Sequence, residues 1–230
     1  MPTIVVRTPP PHPAAVADGS LGDALDEDTR VALREALLCD ACRAVAASGS
    51  DPLVTVEPIA GDRADDRALD AVEAALDRGL ETAPRVEPQV GSTPSARLGN
   101  TVTHLLDERS SVGVVFAGAI VDRSTLDQAT IQLRTADVVL GPAPGGRLAY
   151  AGFVDPIDFE SALDAPAIRT VADRAEEADR ETTTIDLRPR VTDRETLADV
   201  TALVEARRRA GDRVPETLAA WIEEFGPVGE

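Results

Sequence analysis

Along the chain, short Val- and Ile-rich runs alternate with longer stretches in which apolar side chains recur every third or fourth position. The first run, residues 3–7, predicts a strand that is stopped by Thr8-Pro-Pro-Pro-His-Pro13. Over residues 26–47, Val31, Leu38, Cys42 and Val45 fall near helical spacing, with Asp26 or Asp28 as N-cap and Gly49 as the stop. Residues 53–56 predict a second strand, and Leu69, Val72, Leu76 and Leu80 line one face of the following helix. Thr93 and Pro94 predict the cap and first residue of the next helix, with Leu98, Val102 and Leu105 inward. The longest apolar run, residues 112–121, is expected to be a central buried strand.

Residues 124–127 have the form of a capping box opening a helix with Ile131 and Leu133. Strands are expected at 137–140 and 147–153, separated by the turn cluster 141–146. Helix, strand and helix follow at about 166–178, 182–187 and 195–209, and a last amphipathic helix after Pro215 carries Leu218, Trp221, Ile222 and Phe225. This alternation predicts an α/β fold, a three-layer α/β/α Rossmann-like domain with a mainly parallel sheet. It is expected to be one domain over residues 1–230, with a C-terminal helical element at about 193–226.

Composition changes the picture of the surface. Lys+Arg number 23 against 41 Asp+Glu, a formal net charge of -18, every basic residue is Arg, and the acidic excess is spread along the chain. Self-repulsion at this density is relieved by molar salt, because the screening length falls from about 10 Å at 0.1 M to about 3 Å at 1 M. The composition is that expected of a halophilic archaeal protein, with a GC-rich genome accounting for part of the Arg and Ala usage. Phosphate polymers and anionic membranes would be repelled, so neither nucleic acid nor a membrane is expected as a partner. With no basic leader and no apolar stretch near the roughly 18 residues of a span, a cytoplasmic location is expected. Nothing in the sequence specifies an oligomeric state.

In an open parallel sheet, ligands bind beyond the carboxyl ends of the strands. Three loops there carry candidate chemistry and are expected to converge: Arg7-Thr-Pro-Pro-Pro-His12, Asp122-Arg-Ser-Thr125 and Gly141-Pro-Ala-Pro-Gly-Gly-Arg147. Gly145 and Gly146 either cradle a phosphate through backbone N–H groups or only make a turn. Cys39 and Cys42 read as core packing, since zinc needs four ligands and only His12 and His104 remain. His12 itself reads as a solvated histidine in a stiff turn, and Arg207-Arg-Arg209 as the cationic end of a helix.

The Pro-rich loop after the first strand, the Asp-bearing turn after the buried strand, and above all Val138-Val-Leu-Gly-Pro-Ala-Pro-Gly-Gly146 resemble the domain-of-unknown-function family 2064. That family is similar to glycosyltransferase-A (GT-A) and nucleotidyltransferase-like proteins; Gln89, Arg97-Leu-Gly and the stretch 193–199 also look like family positions. The resemblance implies a GT-A fold, glycosyl or nucleotidyl transfer from a nucleotide-linked small-molecule donor, and a divalent metal, Mg²⁺ or Mn²⁺. It places the donor on Arg7, Pro9, Pro11, Gly145, Gly146 and Arg147, and the metal on Asp122; catalytic residues are not identified. Departures from the family pattern are specific. His12 replaces a Gly, Ala14-Ala-Val-Ala17 occupies a stretch that is cationic in the family, the Gly-x-Asp-x-Pro turn has become Gly118-Ala-Ile-Val-Asp122, and Asp-Gly-Gly has become Pro144-Gly-Gly, followed by the new cation Arg147. Two readings follow: a metal-assisted transferase, or a catalytically degenerate descendant that keeps the fold as a binding or interaction module.

Overall fold

Ile4, Val5 and Val6 are all buried because their strand is covered on both faces, Ile4 and Val6 packing to one side and Val5 to the other. The computed structural model describes residues 3–16, 21 and 25–226. The strands are β1 (Thr3–Thr8), β2 (Pro52–Val56), β3 (Arg85–Pro88), β4 (Val112–Val115), β5 (Val138–Ala143), β6 (Arg147–Phe153) and β7 (Thr182–Thr184). The helices are α1 (Pro13–Val16), α2 (Glu27–Ala47), α3 (Asp66–Gly79), α4 (Pro94–Leu106), α5 (Arg123–Gln132), α6 (Ala167–Glu177), α7 (Arg194–Ala210) and α8 (Glu216–Phe225). The sheet order is β3-β2-β1-β4-β6-β5-β7, parallel except for β6, which runs antiparallel to both neighbours. The mixed α/β, mainly parallel architecture agrees with the expectation from sequence.

Two differences from the sequence pattern position the site. The apolar run at 112–121 contributes only four residues to β4. Gly118, at φ +78°, turns the chain out of the sheet, and a Cβ there would collide with the carbonyl of Val191. Val191 N–H donates to Gly118 O at 2.8 Å and Ile120 N–H to Pro189 O at 2.9 Å, so the segment before α7 is tied down over the end of β4. The second difference is α2, which is buried on two sides: Leu38, Cys42 and Val45 meet the sheet layer, while Leu33, Ala36 and Leu37 meet α7 and α8 through Val204, Trp221 and Ile222. Cys39 and Cys42 are free, buried thiols within this helix.

Candidate functional site

Register places Arg7 opposite Thr55 near the carboxyl end of β1, beside the end of β4. Its side chain is only 6 % exposed, and Nε donates to Gln89 Oε1 at 3.1 Å and lies 3.2 Å from Glu57 Oε1. Gln89 is in turn held by the carbonyl and hydroxyl of Thr55, at 3.0 and 3.2 Å. Arg7 and Pro9 line a cleft of about 240 Å³ together with Arg30 and Arg34 from α2 and Arg190 and Thr192 from the segment before α7. Its floor is apolar, with Leu33 and Leu37 of α2 and Phe116 beyond β4.

Arg190 is the most constrained of these cations. Nε donates to Ala117 O at 2.9 Å and Nη1 to Leu148 O at 2.7 Å, and the guanidinium sits 5.5 Å from the centre of the Phe116 ring. Burial, and then the neighbouring charges of Arg7 and Arg147, push its pKa down to about 10 against the opposing pull of Glu57. Burial likewise lowers Arg7, opposed by Glu57 and reinforced by Arg97, and lowers Arg34, opposed by Glu57 and reinforced by Arg30. A chain of net charge -18 therefore concentrates desolvated positive charge in one cleft, an arrangement that stabilises a bound anion through charge-assisted hydrogen bonds.

The remaining candidates from the sequence fall in different places. Pro11 is buried outside the cleft lining. Gly145 and Gly146, at φ +72° and +70°, form the tight turn of the β5–β6 hairpin, and Gly146 abuts Pro166. Arg147 is exposed, folds back over Gly145 with Nη1 3.4 Å from Pro144 O, and acts electrostatically on Arg190 and Asp193. The structure thus brings Arg7 and Pro9 together, sets Arg147 within electrostatic range of Arg190, and leaves Pro11, Gly145 and Gly146 out of the lining.

Asp122 is the N-cap of α5, where its Oδ1 accepts from Thr125 N at 2.8 Å, Thr125 Oγ1 at 2.8 Å and Ser124 Oγ at 2.6 Å. It lines a separate cavity of about 500 Å³ with Asp40, Arg43, Arg188 and Arg207. Two carboxylates beside the cleft are engaged as well. Glu57 pairs with Arg7, while Asp193 caps α7 through Thr196 and accepts from Thr192 Oγ1 at 2.9 Å. Among the described residues no group of three His, Cys, Asp or Glu is arranged to hold a metal ion. Among the described residues the charged side chains of the cleft are all guanidinium groups, a set that does not fit a divalent cation, which takes oxygen ligands.

Sequence reasoning missed Arg30, Arg34 and Arg190. The available signals were two cations one turn apart on an apolar helix and the Arg188-Pro-Arg190 triplet in a loop, both weak without knowing that α2 and this loop meet over β4.

The chain matches a protein from Desulfovibrio desulfuricans, described as a nucleotide-diphospho-sugar transferase, at TM-score 0.74 and 18% identity, over 98% of this chain and 99% of that one. It also matches the 4-diphosphocytidyl-2C-methyl-D-erythritol synthase of Anaerococcus prevotii at TM-score 0.52 and 10% identity, over 89% and 99%. The Rv0371c protein of Mycobacterium tuberculosis in complex with manganese aligns at TM-score 0.47 and 13% identity, over 85% and 96%. No family model and no curated protein matches the chain. The fold is therefore the Rossmann-type α/β fold shared with nucleotide-sugar transferase-like structures.

Proposed function

We propose that the protein is a transferase acting on a nucleotide-linked small-molecule donor, by glycosyl or nucleotidyl transfer, with the donor's phosphates in the arginine cleft. The observation that carries this reading is the gathering of Arg7, Arg30, Arg34 and Arg190 at the carboxyl ends of β1 and β4 in a strongly acidic chain. Phosphates seek such a site, and strand carboxyl ends are where open α/β sheets take nucleotides. The likeness in fold to a protein described as a nucleotide-diphospho-sugar transferase supports the donor class. The same proposal includes divergent membership of family 2064 and a cytoplasmic setting in a salt-rich archaeal cell.

The alternative, a catalytically degenerate binding module, is favoured by Asp122, whose carboxylate serves a helix cap. A thermal-shift panel of nucleoside diphosphates and nucleotide sugars in molar KCl, with and without Mg²⁺ or Mn²⁺, tests both. Ligand that binds only the folded state raises the melting temperature in proportion to occupancy. A shift with a nucleotide sugar and release of its nucleoside diphosphate on turnover supports the transferase. A shift without turnover supports a nucleotide-binding module, and no shift with any nucleotide removes the transferase and leaves the degenerate interaction module standing.

A further inference from the structure

The transferase reading requires that the charge of the donor's diphosphate be compensated, and the cleft bears on how. Among the described residues, every charged one in its lining is an arginine. Arg7 is fixed through Nε by Gln89 and Glu57, and among the described residues its Nη groups make no hydrogen bond. Arg190 is fixed through Nε and Nη1 by two backbone carbonyls and by Phe116, and its Nη2 makes none among the described residues. Both cations are thus held rigid by one edge while donors on the other stay unused, which is how a preorganised anion site is built. Among the described residues, Glu57 is the one carboxylate that acts on Arg7, Arg34 and Arg190 together, one negative charge against three positive.

We propose that Arg7, Arg34 and Arg190 form a metal-independent diphosphate clamp, in which guanidinium groups supply the compensation that a carboxylate-held divalent cation would otherwise give. A buried cation without a counter-ion is costly, and a diphosphate, with two phosphoryl groups to share among three guanidiniums, relieves that cost. A divalent cation placed among the same arginines would be repelled. This inference rests on the reading of the cleft as a donor site, but the clamp itself is defined by its affinity for diphosphate without metal.

The test is titration calorimetry of the full chain in KCl at which it is folded, using inorganic pyrophosphate and nucleoside diphosphates, in excess EDTA and again in excess Mg²⁺ or Mn²⁺. The clamp predicts binding in EDTA that metal does not strengthen. It also predicts that Arg34→Gln and Arg190→Gln each weaken binding by about 10- to 100-fold, the range for one hydrogen bond to a charged group. Melting curves of each variant establish that it is folded, and the wild-type comparison with and without metal needs no variant. Binding of pyrophosphate or nucleotide only when metal is present overturns the clamp and leaves the transferase reading standing. So does metal-free binding that is indifferent to both substitutions. Pyrophosphate binding in EDTA without binding of any nucleotide keeps the clamp and overturns the donor reading, whereas no binding of either anion in any condition overturns both.

Discussion

Tyr150 illustrates what a single side chain can reveal about this core. It is fully buried in β6, its hydroxyl has no hydrogen-bond partner among the described residues, and it fills the space left beside Gly113 and Gly152, where a Cβ would collide with it. An unpartnered buried hydroxyl costs about 1–3 kcal/mol of desolvation. Tyr150→Phe is therefore expected to stabilise the protein by about 1 kcal/mol, read as a higher denaturation midpoint at unchanged slope. A loss of stability of similar size would mean that the hydroxyl is satisfied. Asp122 makes the opposite case, since its Oδ1 accepts three hydrogen bonds at the start of α5. Asp122→Ala should cost about 0.5–2 kcal/mol as a lost N-cap and leave pyrophosphate affinity in EDTA unchanged. A variant that keeps its stability but loses the anion would move Asp122 from the helix end into the binding site. The capping role of Asp122 could not be read from its position alone, because a carboxylate just past a strand end suits both a metal and a helix start, and it is the three bonds onto Oδ1 that show the cap.

At the scale of elements, three helices begin on an aspartate that is held below its ordinary pKa. For Asp26 and Asp193 the backbone N–H groups of Thr29 and Thr196 lead; for Asp122 burial pushes upward, but the bonds from Ser124 and Thr125 outweigh it. A folded pKa below the unfolded one means stabilisation that is fully present above the unfolded value and is lost as pH falls through the folded one. Acid titration should thus show stability declining below about pH 4, and Asn at all three caps, which keeps the geometry without the charge, should flatten that decline. An equally steep acid limb in the Asn variant would assign it to other carboxylates. In α2, burial raises both Cys39 and Cys42, so neither should react with a thiol reagent until the protein unfolds; rapid labelling of the native state would contradict the packing. The helices and most strands were legible because amphipathic spacing and caps are local signals. The edge strand β3, Arg85-Val-Glu-Pro88, was not, since one apolar residue in four shows no period. Nor could the direction of β6 be read, because alternation along a strand is the same in either sense. The early end of β4 depends on Gly118 accepting the approach of Val191, and with it the placement of Arg190, which is tertiary information.

At the scale of the molecule, two charge distributions with opposite responses to salt coexist. Most of the ion pairs among the described residues have at least one exposed partner, Arg169 with Asp173 and Arg123 with Asp127 being exposed at both ends, and such surface pairs contribute little individually. They leave a surface excess that yields the net charge of -18, and its self-repulsion opposes folding until it is screened. The melting temperature is therefore expected to rise with KCl from about 0.1 to 3 M, over which the Debye length falls from about 10 Å to below 3 Å. A continued rise above about 1 M, where screening is already short-ranged, would point to ions taken up by the acidic surface as well. Anion binding should move the other way, because chloride competes for the arginine cleft and screening weakens its attraction for phosphate. Its loss should be modest, since Arg7 is held at 6 % side-chain exposure and buried charges are screened less than surface ones. Calorimetry and thermal melts across one KCl series measure both slopes in the same samples. A melting temperature indifferent to salt would remove the self-repulsion account. Pyrophosphate affinity that fell as steeply as for an exposed cluster of charges would place the binding arginines on the surface and outside the cleft.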